Sequence, residues 1–264
     1  MPINYKLAED VKPQFKLLVA ATVVSIALWA IAWYFPLVGN ITYPLQLFAT
    51  FIHESSHALA AFITGNTVTS LTVSPDTSGS VWSSGSGLSG LFISSAGYLG
   101  ATAFGTALLA WIRFGKSPRA ALYFAGGLVG AMTIVFGFIL PFWTFFSTAT
   151  VGGVAFTVLS GAALSAGLFA IAYYAPLRWA HFALAVLSVQ CLLNAFFSLK
   201  DLFVITAVTD QHTDAANMAA ATGIPGIVWV LVWFVVSIVM ISLGLRLYAV
   251  GGLKKAKADS VFED

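Results

Sequence analysis

Long runs of apolar residues alternate with short polar connections along almost the whole chain. A helix of about 20 apolar residues is long enough to cross a bilayer. Seven runs approach or exceed that length, at about residues 17–35, 43–64, 88–112, 120–140, 151–174, 179–199 and 227–248. Proline, glycine or charged residues follow most of them, as expected where a membrane helix ends. The pattern therefore predicts an all-α polytopic membrane protein with about seven transmembrane helices.

One stretch departs from this helical pattern. Residues 66–87 are rich in Thr, Val and Ser and contain the turn sequence Pro-Asp-Thr-Ser-Gly at 75–79. Such a pattern predicts a short β-hairpin, too short and too polar to cross a membrane. The edge of a strand can pair with an extended peptide. The segment is therefore either a peptide-holding strand or a plain connecting hairpin, and the sequence favours neither.

The predicted domain organisation is simple. A polar tail at 1–16 precedes one membrane domain at 17–250, which contains the β-type loop 66–87, and a second polar tail follows at 251–264. We find no convincing internal repeat and no segment with the composition of a soluble domain.

Composition narrows the class of protein further. The 264 residues are 59% hydrophobic and only 8% charged, whereas soluble domains are roughly one-quarter charged. The lipid bilayer is therefore an expected partner. A net charge of +2 gives no reason to expect a nucleic-acid partner. The single cysteine, Cys191, excludes an internal disulfide.

The second apolar run contains the residues with the clearest chemistry. His53, Glu54 and His57 lie within it, although the whole chain has only four His and three Glu. Ionisable groups in a membrane helix cost on the order of 2 to 3 kcal/mol each, so they usually have a function. Two His four residues apart share a helix face and can bind one zinc ion. In this H-E-x-x-H arrangement the Glu acts as general base for peptide hydrolysis. We therefore predict Zn²⁺ as cofactor and Glu54 as catalytic residue.

A catalytic zinc site usually has three protein ligands and a water, so a third ligand is needed. The remaining histidines, His181 and His212, are poor candidates because one lies near a helix start and the other in a polar connection. Asp201 is favoured because Asn194, seven residues earlier, shares its helix face. The Asn194 amide can then bind a substrate carbonyl. Asp214 is the alternative, although an acid at a helix start also complements the helix dipole without any metal.

These features resemble the site-2 protease family of intramembrane zinc metalloproteases, in its compact branch without a PDZ domain. The resemblance lies in His-Glu-Ser-Ser-His-Ala-Leu at 53–59, the turn at 75–79 and Ser-Ala-Gly-Tyr-Leu-Gly at 95–100. It is dense over residues 48–105 and thin elsewhere. The family's third ligand is an Asp in an Asn…Leu-Asp-Gly setting, whereas Asp201 here follows Lys200 and precedes Leu202.

The resemblance implies hydrolysis of membrane-spanning protein substrates, often anchored regulators, after a first cut by another protease. We expect an integral, multi-pass protein of a prokaryotic cell membrane. Two other classes remain open. A catalytically silent scaffold would retain membrane clients, but it would not need the costly Glu54. A transporter with a metal or proton site at mid-membrane usually has paired broken helices in two halves, and no second polar-interrupted run matches the second one.

Overall fold

The computed structural model describes residues 12–115, 117–209 and 211–250. The predicted C-terminal tail at 251–264 and residues 1–11 of the predicted N-terminal tail lie outside the described residues. Residues 12–16 of that predicted tail already belong to the first helix.

Helices dominate the described residues. They are α1 (Lys12–Tyr34), α2 (Pro36–Ile63), α3 (Gly87–Phe114), α4 (Pro118–Met132), α5 (Leu140–Trp143), α6 (Val151–Tyr174), α7 (Leu177–Val208), α8 (Asp214–Thr222) and α9 (Gly226–Val250). A π-helical segment, Thr133–Ile139, joins α4 to α5. Every apolar run found in the sequence is thus helical, while α8 is a short helix in the last polar connection.

Five of these stretches are long and apolar enough to cross a membrane: α3, the continuous stretch Pro118–Trp143, α6, α7 and most of α9. Helix α1 adds a shorter apolar stretch, Phe15–Ile31. Helix α2 is of similar length, but its His, Glu, Gln and Ser side chains lower its mean hydropathy. The all-α polytopic fold with about seven long helices is therefore confirmed, and the helix that departs from simple apolarity is the one with the metal motif.

The hairpin predicted between α2 and α3 is present. Strands β1 (Val68–Val73) and β2 (Gly79–Ser83) pair antiparallel. Helix α2 holds the turn, because Tyr43 Oη donates to Pro75 O at 2.8 Å and Thr50 Oγ1 donates to Thr77 O at 2.7 Å. Helix α6 holds β1, whose Val73 N donates to Thr157 Oγ1 at 2.8 Å. The hairpin is therefore fixed between α2 and α6.

The packing around α3 determines where the other elements lie. Helix α3 packs against α2, α7 and α9, and also contacts α8. A second apolar cluster joins these elements through Tyr98 of α3, Leu199 of α7, Met218 of α8 and Trp233 of α9. Because this cluster buries one face of α8, the short helix is held beside α3 and so close to α2.

Candidate metal centre

Helix α2 brings the two histidines of the motif together. His53 Nε2 and His57 Nε2 are 3.1 Å apart, as residues one helical turn apart on the same face can be. Glu54 and His57 are only 5% and 6% exposed. The fully buried Phe51 and Ile52 precede them on the same helix. Two imidazoles and a carboxylate therefore lie on a helix beside fully buried apolar side chains.

The tautomer of His57 follows from its hydrogen bond to α3. His57 Nδ1 lies 2.6 Å from the backbone oxygen of Ile93. A carbonyl can only accept, so Nδ1 is the donor. In a neutral ring this leaves the lone pair of Nε2 free, which is the arrangement of a metal-binding histidine with its outer partner.

A glycine of α3 makes room for both rings. A Cβ at Gly97 would contact His57 Nε2 and His53 Nε2. The next residue, Tyr98, packs edge-on against the His53 ring with 4.6 Å between centroids. Tyr98 also stacks on Trp233 at 5.3 Å. The histidine pair is thus enclosed by the residues of α3 within the 95–100 segment.

Asp214, the alternative third ligand, lies beside the histidines. Its Oδ2 is 3.4 Å from His57 Nε2 and 3.9 Å from His53 Nε2. Helix α8 begins at this residue, and the Thr213 side chain caps it by accepting from Ala216 N at 3.2 Å. In the metal-free protein, burial disfavours the charged carboxylate, but protonated His57 and His53 outweigh burial and hold the pKa of Asp214 below its ordinary value.

These three side chains fit a divalent metal. One potential ligand atom from each of His53, His57 and Asp214 lies within 4.8 Å of the others. Ligand atoms about 2.0 to 2.1 Å from a tetrahedral zinc ion lie roughly 3.4 Å apart. The separations of 3.1, 3.4 and 3.9 Å are close to that value. Two nitrogens and one carboxylate oxygen are also ligands that zinc accepts.

Asp201, the favoured third ligand in the sequence analysis, lies elsewhere on the cavity wall. Its side chain is 63% exposed, and its Oδ1 pairs with Lys200 Nζ at 2.8 Å. It does not belong to the group of His53, His57 and Asp214 whose ligand atoms converge. Asp201 and Asn194 line the same cavity, but the Asp201 carboxylate does not converge with the imidazoles of His53 and His57. The geometry therefore favours the alternative, Asp214, over Asp201, and the identity of the third ligand stays a prediction.

A cavity of about 1000 Å³ adjoins the three side chains. Its walls come from α2, the hairpin residues 77–83, α3, α7 and α8, and include Asn194 and His212. Strand β2 contacts the general-base candidate directly, because a Cβ at Gly79 would lie 2.5 Å from both Cγ and Oε1 of Glu54. The cavity thus connects the metal-binding side chains, the carboxylate of Glu54 and the hairpin.

A known protein family matches most of this chain. A family model described as Peptidase M50B-like matches residues 18–244, which include the hairpin and the three converging side chains. No curated protein and no solved structure matches the chain. The match covers most of the 264 residues, and it confirms the resemblance to site-2 protease-type enzymes at the level of the family. The chain belongs to the Peptidase M50B-like family.

Proposed function

We propose that this Peptidase M50B-like protein is an intramembrane zinc metalloprotease that hydrolyses peptide bonds of membrane-spanning proteins, in the cell membrane of a prokaryote. The observation that carries the proposal is the convergence of His53, His57 and Asp214 next to Glu54, within a bundle of apolar helices. The match to the family supports the same conclusion.

In this proposal His53, His57 and Asp214 would hold the zinc ion. Bound zinc would supply Lewis-acid chemistry, lowering the pKa of a water towards about 7 and polarising a carbonyl. The protein keeps the ligands in place through Ile93, whose carbonyl orients His57, and through Gly97, which leaves the rings their space.

Glu54 is the proposed general base. Its carboxylate takes a proton from the attacking water and gives it to the nitrogen of the leaving amine. Glu54 follows His53 directly on α2 and lies against the backbone of Gly79. Because the hairpin restricts this side chain, the carboxylate is held facing the cavity rather than free to turn away.

The outer edge of β2, which no other strand of the described residues pairs with, is the proposed binding site for the substrate backbone. Ser74 N donates to Ser78 O at 2.9 Å, so Val73 and Gly79 form the next, non-hydrogen-bonded pair of the ladder. The backbone groups of Gly79 and Val81 therefore point away from β1. The outer edge of β1 is instead occupied at Val73 by Thr157, which favours β2 over the 66–74 strand for pairing with an unwound substrate.

Asn194 is the proposed polar contact on the opposite side. It lies on α7 and lines the cavity that also contains His53, Glu54 and His57. Its side-chain Nδ2 is 3.5 Å from Ser198 Oγ, a weak bond that a substrate carbonyl can replace. An amide donor here steadies the substrate while β2 holds its backbone extended.

The test is the variant Glu54→Gln in the full-length protein, reconstituted with a membrane-anchored test substrate that the wild type cuts. A positioned base contributes about 10²- to 10⁴-fold to rate, so we expect a loss of cleavage in that range. We expect the zinc content to remain that of the wild type, because Glu54 is not a ligand. Product is measured by gel or mass spectrometry and zinc by elemental analysis.

Two results would contradict the proposal. Wild-type cleavage by Glu54→Gln would exclude Glu54 as the base. A zinc-loaded wild type that binds membrane proteins and leaves all of them intact would favour the scaffold function instead.

A further inference from the structure

A second cavity, of about 250 Å³, lies beside the first, between α1, α2 and α7. The two cavities share part of their walls, namely Thr50, Thr77, Asn194, Ser198 and Asp201. The smaller one, which we call the side cavity, therefore adjoins the proposed reaction site. The proposed chemistry gives no role to the residues that line the side cavity alone.

Two polar stripes line the side cavity. Thr42, Gln46 and Thr50 are four residues apart on α2, and Gln190, Asn194 and Ser198 are four apart on α7. Residues at this spacing share one helix face. Polar side chains in membrane helices need partners, and they are tolerated where they line a polar cavity. Facing stripes on two helices are therefore evidence of a built polar chamber.

All but one of the hydrogen-bonding side chains that line the side cavity are neutral. Amides and hydroxyls both donate and accept, and Gln46 Nε2 donates to Thr42 Oγ1 at 3.0 Å. The one carboxylate of the wall, Asp201, is already paired with Lys200. Trp29 and Phe197 stack with 4.3 Å between ring centroids and also line the cavity. A polar, uncharged group of limited size fits this environment better than an ion.

The hairpin places a bound substrate next to the side cavity. Thr77, just before β2, lines both cavities. A peptide extended along β2 sends successive side chains to opposite faces. Because Thr77 lies next to the beginning of β2 and lines both cavities, a side chain of a substrate held there can reach the stripes of α2 and α7.

We propose that the side cavity is a substrate subsite for an uncharged polar side chain, Asn, Gln, Ser or Thr, close to the cut bond; this rests on the proposed function. Asn, Ser and Thr also weaken a helix, because their side chains compete for backbone hydrogen bonds. The subsite thus selects membrane spans that already carry a polar interruption where they must unwind. Without such a side chain, a cavity of this size holds several waters at about 30 Å³ each.

The test compares two membrane-anchored substrates that differ in one residue, Asn or Leu, with that residue placed in turn at each of six positions around the cut. We expect the reconstituted wild type to prefer Asn at one of these positions. A single hydrogen bond supports a preference of up to about tenfold. Gln46→Leu and, on the other helix, Gln190→Leu should each remove most of it. Gln211→Leu is the matched control, because Gln211 is exposed and lines neither cavity.

The outcomes separate the possibilities. Loss of the Asn preference in both cavity variants, with wild-type zinc content and thermal unfolding, supports the subsite. An equal loss of rate for both substrates overturns the subsite and indicates that the side cavity supplies water to the reaction instead. A wild type without preference at any position, or variants that keep the preference, also overturn it. A zinc-loaded wild type that cuts neither substrate contradicts the proposed function itself, and the subsite falls with it.

Discussion

Two helix interfaces of this protein each contain a glycine where the helices approach, but the two glycines make room for different groups. Helix α3 approaches α2 at Gly97, where a Cβ would meet the ring nitrogens of both motif histidines. Helix α6 approaches the π-helical continuation of α4 at Gly161, where a Cβ would meet the side chain of Thr133. Small residues of this kind are common where membrane helices pack closely. In the first interface the space holds ionisable groups, and in the second it holds an ordinary packing side chain.

The difference lies in what the partner helix contributes. In the α4–α6 interface, polar groups satisfy each other locally, as where Ser165 Oγ donates to Gly126 O at 2.8 Å. In the α2–α3 interface, Ile93 O orients His57 so that the lone pair of its other ring nitrogen is left for a metal, with Asp214 Oδ2 3.4 Å away. A glycine is therefore structural or functional according to the atoms that fill its space, and variants can separate the two cases.

Removing Asp214, the acid of α8 that lies beside the histidines of the α2–α3 interface, should have the largest effect. Asp214→Ala deletes one of three proposed zinc ligands, and loss of even an outer partner of a ligand costs about 10- to 100-fold in affinity. We therefore expect a fall of more than about 100-fold in zinc affinity, measured by competition with a chelator. Asp201→Ala is the matched control and should bind zinc like the wild type. Zinc loss in Asp201→Ala, with none in Asp214→Ala, would restore Asp201 as the third ligand.

Gly97→Ala should have the second-largest effect. The added methyl group meets the Nε2 atoms of His53 and His57, so the rings must rotate out of their positions. We expect zinc affinity to fall by roughly 10- to 100-fold, as when a group that orients a ligand is lost. The unfolding temperature of the metal-free protein should also fall, because the enclosed rings must give up contacts such as that of His57 Nδ1 with Ile93 O. Wild-type zinc affinity in this variant would show that the histidines bind no common ion.

Gly79→Ala tests the hairpin side of the same site. The methyl group would lie 2.5 Å from Cγ of Glu54, so the carboxylate must shift. We expect the cleavage rate to fall by about tenfold, a fraction of what a positioned base contributes, with zinc content unchanged. Cleavage of the test substrate and elemental analysis measure the two quantities. A loss of zinc without a change in rate per bound zinc would argue against contact with the base.

Gly161→Ala, in the packing interface, should affect stability alone. Its Cβ would lie 2.9 Å from Thr133 Cβ, which no rotation of the threonine relieves. Overpacking costs about 1 to 3 kcal/mol, and the gain in helix propensity offsets about 1 kcal/mol of it. We expect a net loss of roughly 1 kcal/mol in the free energy of unfolding, by thermal or denaturant unfolding in detergent, with zinc affinity unchanged.

The control for that variant is Gly127→Ala. Nothing lies within 4 Å of a Cβ at Gly127, so its stability should equal or slightly exceed that of the wild type. A zinc defect in Gly161→Ala would mean that the two interfaces are coupled, and the contrast between them would fail.

Several parts of this structure could be predicted from local sequence patterns. The long helices follow from apolar runs of membrane length, because a backbone in lipid must satisfy its own hydrogen bonds. The hairpin follows from the turn at 75–79 and its β-branched neighbours. The seven predicted runs did not include α8, which is only nine residues long. Its start at Thr213 and Asp214 was visible as a capping signal, but a cap does not say where a helix packs.

The sequence by itself determined the membrane class of the protein and the pairing of His53 with His57, since helical periodicity alone puts residues four apart on one face. Only the tertiary structure decided which acid joins them. Asp201 was preferred for a property of its own helix, whereas the position of Asp214 depends on how α8 packs against α3 and α9. Convergence of side chains from separate elements is set by long-range packing, and no spacing along the chain encodes it.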